Sequence, residues 1–142
     1  YYRGKMDLDV VRRTLDAQLR QVRRARAAGV RIALGTDAGS IGVLHGESVA
    51  EEMKLLMQAG YSLAEVIQCA TEHGAQLLGV DDEYGALRIG KPANFLVARG
   101  QPAQLPRKFS YLDAIFLNGA PSNRYKKFNR QIPDHRSYPD AS

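Results

Sequence analysis

Apolar side chains recur at steps of three and four along the first part of the chain, which is the spacing of an amphipathic helix. The pattern predicts a helix over 8–28, with Asp7 capping its start and Gly29 ending it. The opposite face is polar and rich in arginine, so one side is predicted to pack and the other to face solvent. The apolar positions are Leu8, Val11, Leu15, Leu19 and Val22.

A short apolar run follows this helix without clean alternation of polar and apolar positions. The run Val30–Leu34 is interrupted only by Arg31, and it predicts a strand over 30–36. Strands of this kind are commonly buried on both faces, as in a parallel sheet. The strand finishes abruptly on Gly35-Thr36-Asp37, and Gly39 follows.

Two S-x-x-E sequences predict two further helices, because the serine and the glutamate of such a capping box satisfy the first helical N–H groups. The first helix is predicted from Ser48 to Gly60 and the second over 62–79. A glycine ends each one in a left-handed conformation. Helix, strand, helix, helix is the order of an α/β protein. The boxes pair Ser48 with Glu51 and Ser62 with Glu65, and the stops are Gly60 and Gly79.

The pattern changes after Val80 to short runs typical of strands. Strands are predicted over 86–89 and 94–98, joined by a turn at Gly90-Lys91-Pro92. A third strand, YLDAIFL, closes on Asn118-Gly119, which favours a type I′ hairpin turn. Three short strands are too few for an independent domain, so they are expected to pack on something else. Residues 122–142 lack periodicity and are predicted to form a polar, basic, mobile tail.

Composition indicates a soluble globular protein. Of the 142 residues, 44% are apolar and 25% are charged, and no apolar run approaches the roughly 20 residues of a membrane span. Cys69 is the only cysteine, which excludes an intrachain disulfide; the compartment stays open, with the cytoplasm favoured. The chain begins Tyr1-Tyr2-Arg3 without a methionine or a signal-peptide pattern, so a fragment or a processed product is expected.

The net charge of +5 is concentrated at the two ends of the chain. Residues 1–31 carry nine basic and three acidic side chains, whereas residues 32–121 carry six basic and ten acidic ones. The arginine-rich face of the first helix could bind nucleic acid, an anionic membrane or a protein partner. A solvated helix surface is favoured instead, because no aromatic side chains interleave the arginines. These arginines are Arg12, Arg13, Arg20, Arg23, Arg24 and Arg26.

Asp37 is the first candidate for chemistry. In parallel α/β folds, ligands and catalytic groups gather at the carboxyl ends of the strands, and Asp37 directly follows such an end. A carboxylate there can take a proton from water or bind a cation. Asp also begins turns for purely local reasons. From its position alone, a functional role and a turn role are equally supported.

Several motifs in order resemble the amidohydrolase superfamily, closest to its imidazolonepropionase-like and Xaa-Pro dipeptidase-like group. They are G-T-D-A-G at 35–39, H-G at 45–46 before a helix, A-T followed by L-L-G, and G-x-L-x-x-G-K-x-A from Gly85. The resemblance covers about residues 8–121. It implies an α/β fold that is the C-terminal portion of a (β/α)₈ TIM-type barrel, with part of a small β-sandwich. Residues 1–79 would then be the last part of the barrel, 80–121 the sandwich strands, and 122–142 the tail.

The resemblance also implies a role for each candidate site residue. Asp37 would meet a divalent metal centre, with zinc expected as one or two ions, and act as general base and later acid. His45 would contact substrate or support the site, although an exposed loop histidine without such a role is the favoured alternative, while Thr36 and Gly39 would shape the loop. The implied substrate is a small-molecule amide, dipeptide or cyclic amide, with no nucleic acid or membrane partner and with oligomeric state open.

Other polar residues are given structural roles. Lys91 matches a lysine of the sandwich turn, and His73 is expected to cap or pack a helix. Cys69 is expected to be a buried structural thiol, and His135 lies in the tail. Asn94 stands where the family usually has Asp, which concerns the sandwich.

The sequence lacks one essential family motif, H-x-H. Together with a lysine or glutamate and two further histidines, that motif holds the metals in the resembled family. The chain is therefore predicted to be an inactive fragment of a hydrolase that binds metal poorly on its own. Two alternatives stay open, namely a stand-alone binding module that uses the arginine-rich helix 8–28 and a non-catalytic relative.

Overall fold

The computed structural model describes residues 7–123, apart from the side chain of Ser110. The predicted tail therefore lies outside the described residues from position 124 onward, and so does His135. Four helices come first, and a three-stranded antiparallel sheet follows them. No helix within residues 7–123 combines the length and the apolar character needed to cross a membrane.

The first helix, α1, spans Leu8–Ala27, which confirms the predicted element. The carboxylate of Asp7 accepts hydrogen bonds from the N–H groups of Asp9 (3.0 Å) and Val10 (3.3 Å). These bonds satisfy two of the N–H groups that lack a partner in the first turn. Gly29 follows the end of the helix with φ +74°, a conformation that glycine adopts at little cost.

Helix α2 spans Glu47–Gln58 and begins differently from the prediction. The Ser48–Glu51 capping box is wrong, because the helix starts one residue earlier and its N-cap is Gly46, which has no side chain to cap it. The Ser48 hydroxyl instead accepts the N–H of Leu44 at 2.9 Å, in the loop before the helix. The hydroxyl therefore stabilises the loop entering α2.

The predicted third helix is two helices, α3 (Leu63–Ala70) and α4 (Glu72–Leu78). Its start is confirmed, since the Ser62 hydroxyl and the Glu65 carboxylate form a complete capping box. Its end is confirmed too, with Gly79 in the left-handed conformation. The continuity is wrong, because Thr71, at φ −125° and ψ −82°, interrupts the helix.

The core lies where α2 and α3 meet. Side chains of α1, the residues before the Asp37 turn and Phe109 pack around it. Val66 is fully buried and Cys69 is 1% exposed. The buried members are Met53, Leu56, Ala59, Tyr61, Val66 and Cys69.

Residues 30–36, the extended segment from here on, do not form the predicted strand. A strand needs a ladder of hydrogen bonds to a neighbouring strand, and no strand within residues 7–123 lies beside this segment. Ile32 and Leu34 nevertheless pack against the core, so the side chains lie partly inside as expected. Val30 is 55% exposed, which contradicts burial on both faces.

The sheet has strands β1 (Phe95–Ala98), β2 (Leu112–Leu117) and β3 (Ala120–Pro121) in the order β1-β2-β3. The strand predicted over 86–89 is wrong, because these residues pair with no strand that the structure describes. The Asn118-Gly119 turn is confirmed, with φ +52° and +79° as type I′ requires. Asn94 supports it, because its side-chain oxygen accepts the N–H of Asn118 at 2.9 Å.

Candidate functional site

Asp37 lies in the loop between the extended segment and α2, in an unusual backbone conformation. Its φ is +49°, in the left-handed region that costs most L-residues about 1–2 kcal/mol and Asp less. The Ser40 hydroxyl donates to Asp37 Oδ2 at 3.2 Å, and the Ser40 N–H donates to the Asp37 carbonyl at 3.4 Å. The side chain is exposed. Asp37 therefore begins a turn, as one of the two interpretations predicted, and exposes its carboxylate, while its functional role stays a prediction.

Gly39 and His45 come together in the same loop. Gly39 has φ +113°, and a Cβ built on it would lie 3.7 Å from Nε2 of His45. A side chain at this position would therefore be in van der Waals contact with the imidazole, and the Gly39 N–H donates to the Val43 carbonyl at 3.1 Å. His45 is exposed, and Thr36 is half-buried next to Asp37. The loop therefore brings the four predicted residues together, although no hydrogen bond within residues 7–123 joins His45 to Asp37.

The extended segment is held by groups from the helices. Nδ1 of His73 lies 2.9 Å from the carbonyl oxygen of Ile32, and the Leu34 N–H donates to the Cys69 carbonyl at 3.0 Å. The Gly35 N–H donates to Oε1 of Glu52 at 3.1 Å. His73 was expected to cap or pack, and it binds the segment's main chain instead of its own helix. The contact of Glu52 could not be predicted from the sequence, because a contact between residues 17 positions apart leaves no periodic pattern in a single sequence.

The described residues do not fit a metal site by themselves. No group of three or more His, Cys, Asp or Glu side chains within residues 7–123 is arranged to hold a metal ion. Protein sites for Zn²⁺ need three or four such ligands. Asp37 can supply one carboxylate, so any ion bound here would need ligands from other segments.

Two clefts lie among the described residues, and Asp37 lines neither of them. One of about 560 Å³ opens between α1 and the start of α3, and one of about 370 Å³ lies beside α2 and Tyr111. Neither is lined by Asp37 or His45. The larger cleft is bordered by the Arg26–Glu65 ion pair, so the role of Asp37 stays a prediction that neither cleft tests.

The arginine-rich face of α1 is partly used for packing. Arg23 donates to the Gln58 carbonyl at 2.9 Å, and Arg26 pairs with Glu65 at 2.7 Å while lying over the Tyr61 ring. The Arg26 guanidinium, followed by hydrogen bonds from Ser62, lowers the pKa of Glu65 to about 2. These two arginines fasten α1 to α2 and α3, which reduces the positive surface that an anionic partner would meet.

Two further residues match their structural expectations. Burial raises the pKa of the Cys69 thiol, so the thiolate required of a nucleophile is disfavoured. Lys91 donates from Nζ to the carbonyl of Asp81, which ties the turn before the sheet to the end of the helical region.

Two curated proteins that are similar to this chain are both imidazolonepropionases. Among curated proteins, the chain is 32% identical over 89 residues to an imidazolonepropionase of Polaromonas sp. (strain JS666 / ATCC BAA-500), covering 58% of this chain and 19% of the relative. It is 34% identical over 92 residues to an imidazolonepropionase of Verminephrobacter eiseniae (strain EF01-2), covering 59% and 19%. The chain thus spans about a fifth of the length of these relatives.

Solved structures are similar to this chain in both fold and sequence. The fold is similar to a putative prolidase from Bifidobacterium longum, with a TM-score of 0.68, 35% identity, and coverage of 78% of this chain and 28% of that one. A Xaa-Pro dipeptidase with bound methionine in its active site gives a TM-score of 0.63, 30% identity, and coverage of 73% and 25%. The amidohydrolase family pattern matches residues 6–130. Because that match covers most of the sequence, the chain belongs to the amidohydrolase family.

Proposed function

We propose that this chain is the C-terminal part of a metal-dependent amidohydrolase that cleaves a C–N bond in an amide, a dipeptide or a cyclic amide. The observation that carries the proposal is the exposed Asp37 carboxylate, held in a left-handed turn directly after the extended segment. The family match and the names of the relatives supply the type of reaction. In this assignment, residues 1–79 end the barrel and residues 80–121 contribute to a β-sandwich.

The proposed role of Asp37 is proton transfer. Its carboxylate accepts a proton from the hydrolytic water as the water oxygen bonds to the amide carbon. The C–N bond then breaks, and the same carboxyl group returns the proton to the leaving nitrogen, so that a carboxylic acid and an amine result. A positioned acid or base of this kind contributes about 10²–10⁴ in rate. His45, Thr36 and Gly39 belong to the same loop as this carboxylate, and His45 is proposed to contact substrate.

A divalent ion, with zinc proposed, requires more ligands than the described residues offer. The proposal therefore places the missing ligands in further sequence that joins this chain. The first test is to read the coding DNA upstream of Tyr1. An open frame of roughly 250 residues, the size of a barrel, with H-x-H near its start supports the proposal. A start codon directly before Tyr1 contradicts it and makes the arginine-rich helix the place to search for a binding function.

Asp37→Asn tests the mechanism in the protein encoded by the whole gene. Asn adopts positive φ as readily as Asp, so the turn is expected to survive. We expect kcat to fall about 10²–10⁴-fold on Xaa-Pro dipeptides or imidazolone-ring amides, with an unchanged circular dichroism spectrum. Asp82→Asn, in an exposed turn, is the matched control and should retain activity. Unchanged turnover in Asp37→Asn removes Asp37 from the mechanism.

The 142-residue chain alone is expected to bind metal poorly and to hydrolyse none of these substrates, because it carries one proposed ligand. Isothermal titration with Zn²⁺ and a dipeptidase assay measure both properties. Hydrolysis by the isolated chain that disappears with Asp37→Asn contradicts the expectation that the site is incomplete.

A further inference from the structure

Past Val30, whose N–H donates to the Ala25 carbonyl of α1, the extended segment takes its main-chain hydrogen bonds from three further helices. Ile32, Leu34 and Gly35 are bound by His73 of α4, by the Cys69 carbonyl of α3 and by Glu52 of α2, at 2.9, 3.0 and 3.1 Å. Each contact acts on the backbone and is therefore independent of the segment's side chains. Together they fix the path of the chain up to the second residue before Asp37.

The helix break at Thr71 makes one of these contacts available. In an uninterrupted helix, the carbonyl of residue 69 would accept the N–H of residue 73. Thr71 leaves helical geometry, α3 ends at Ala70, and the Cys69 carbonyl accepts the N–H of Leu34 instead. The same break sets His73 in the first turn of α4, within reach of Ile32. The interruption thus has a structural consequence at the extended segment.

Of the three hydrogen bonds, the one accepted by Glu52 is closest in sequence to Asp37. Its carboxylate is half-buried and accepts the N–H of Gly35, a bond in which the acceptor carries charge. Beyond Gly35 only Thr36 separates the anchored peptide from Asp37. The neighbouring Glu51 behaves differently, because its side chain is 68% exposed and pairs with Lys54 on the surface of the same helix.

We propose that Glu52 is a positioning residue for Asp37: its bond to the Gly35 N–H fixes the peptide from which the left-handed turn at Asp37 starts, and so aims the Asp37 carboxylate. The inference rests on the proposed function for its effect on turnover. A displacement of about 1 Å at a reacting group can cost about 10²-fold in rate. Loss of the anchor is therefore expected to reduce turnover without removing any group that touches substrate.

The test compares Glu52→Ala, Glu52→Gln and Glu51→Ala in the protein encoded by the whole gene. Ala removes the acceptor, whereas the side-chain carbonyl of Gln keeps it. We expect Glu52→Ala to raise the exchange rate of the Gly35 amide about tenfold or more and to lower kcat about 10–100-fold, with KM within about twofold. Glu52→Gln should recover most of both losses, and Glu51→Ala should match the wild type. A crystal structure of Glu52→Ala should show the Asp37 carboxylate displaced.

The possible outcomes separate this inference from the proposed function. Unchanged Gly35 exchange and an unmoved Asp37 in Glu52→Ala overturn the positioning role, whatever the turnover. Faster exchange with unaltered kcat, in a protein whose Asp37→Asn variant is inactive, also overturns it and leaves the function standing. If Asp37→Asn retains full turnover, the proposed function fails, and exchange and the Asp37 position alone decide the role of Glu52. Equal losses in Glu52→Gln and Glu52→Ala show that the charge, and not the acceptor, matters, which overturns the anchor.

Discussion

The helical region, residues 7–79, and the sheet region, residues 80–123, differ in how much of their apolar surface they bury. Eight buried residues that the structure describes lie between Ala50 and Ala75, whereas Pro106 is the one buried residue described in the sheet region. In the sheet region Leu96 is 55% exposed and Leu117 is 52% exposed, although Phe95 and Phe116 stack with centroids 4.5 Å apart. The helical region therefore holds the core, to which the sheet region adds Phe109, while the strands expose apolar side chains that would gain stability by packing on another surface.

The two regions also differ in the short sequence patterns, such as caps and turns, that define their helices and strands. Helices α1 and α3 have side-chain caps at their starts and α4 ends at a left-handed glycine, so these end groups are satisfied within a few residues. The sheet has one strong local signal, the Asn118-Gly119 turn, and three strands of two to six residues. Short antiparallel strands need a packed face for stability, which agrees with the proposed composite sandwich.

Truncating a leucine in each region gives the largest expected contrast. Leu56→Ala removes a side chain that is 7% exposed and should lower the free energy of unfolding by about 2–5 kcal/mol. Leu96→Ala removes one that is 55% exposed and should cost less than about 0.5 kcal/mol in this chain. Urea denaturation of the two variants measures the contrast. Equal losses would show that the sheet region has a core of its own.

The leucine comparison can be sharpened in the protein encoded by the whole gene. If other segments cover the sheet there, Leu96→Ala should cost several times more than in the isolated chain, while the cost of Leu56→Ala should stay similar. An unchanged small effect of Leu96→Ala in the longer protein contradicts a covered sheet.

A glycine-to-alanine change should have opposite signs in the two regions. Gly74 lies in α4 with ordinary helical φ, and an added Cβ would approach the Cys69 carbonyl only to 3.9 Å. Gly74→Ala should therefore stabilise by about 0.5–1 kcal/mol. Gly119 has φ +79°, so Gly119→Ala should destabilise by about 1–2 kcal/mol. Thermal melting of both variants checks the signs: a raised melting temperature for Gly119→Ala contradicts the assigned turn, and a lowered one for Gly74→Ala contradicts the open space at that helical position.

The smallest expected effect is a pH dependence confined to the helical region. Glu65 has its pKa lowered from an ordinary value near 4.3 to about 2 by Arg26 and Ser62. Since the folded-state pKa is the lower one, this contribution is present above about pH 4 and is lost as the pH falls towards 2. Both partners are largely solvent-accessible, so the effect should be slight. Glu65→Gln should flatten this part of the stability profile measured by denaturation from pH 6 to pH 2, while Glu51→Gln should leave it unchanged.

Features decided within a few residues could be predicted from the sequence. The cap at Asp7, the Ser62–Glu65 box and the Asn118-Gly119 turn each depend on neighbours at most four positions away. The Ser48–Glu51 box failed although its pattern was equally good, because the Ser48 hydroxyl binds the loop instead. A local pattern names a candidate contact, and competition from nearby groups determines whether it forms.

Features that need distant partners could not be predicted. Residues 30–36 and 86–89 have the composition of strands, but a strand exists only beside another one. The position of Asp37 after an apolar run was evident, and its membership in one loop with Gly39 and His45 followed from proximity in sequence. The contact of Glu52 with Gly35 joins different elements, and so does that of His73 with Ile32, so neither has a signature in a single sequence.

The interruption of the helix pair at Thr71 has an evolutionary consequence. One residue inserted between Cys69 and His73 would change the spacing of these two residues, and the Cys69 carbonyl and the His73 ring could no longer both meet the extended segment. Insertions and deletions should therefore be rare in this span and common in the exposed turn at Asp81–Glu83. An alignment of relatives would then show a stretch of fixed length some thirty positions after the candidate aspartate, whose spacing is itself a mark of the fold.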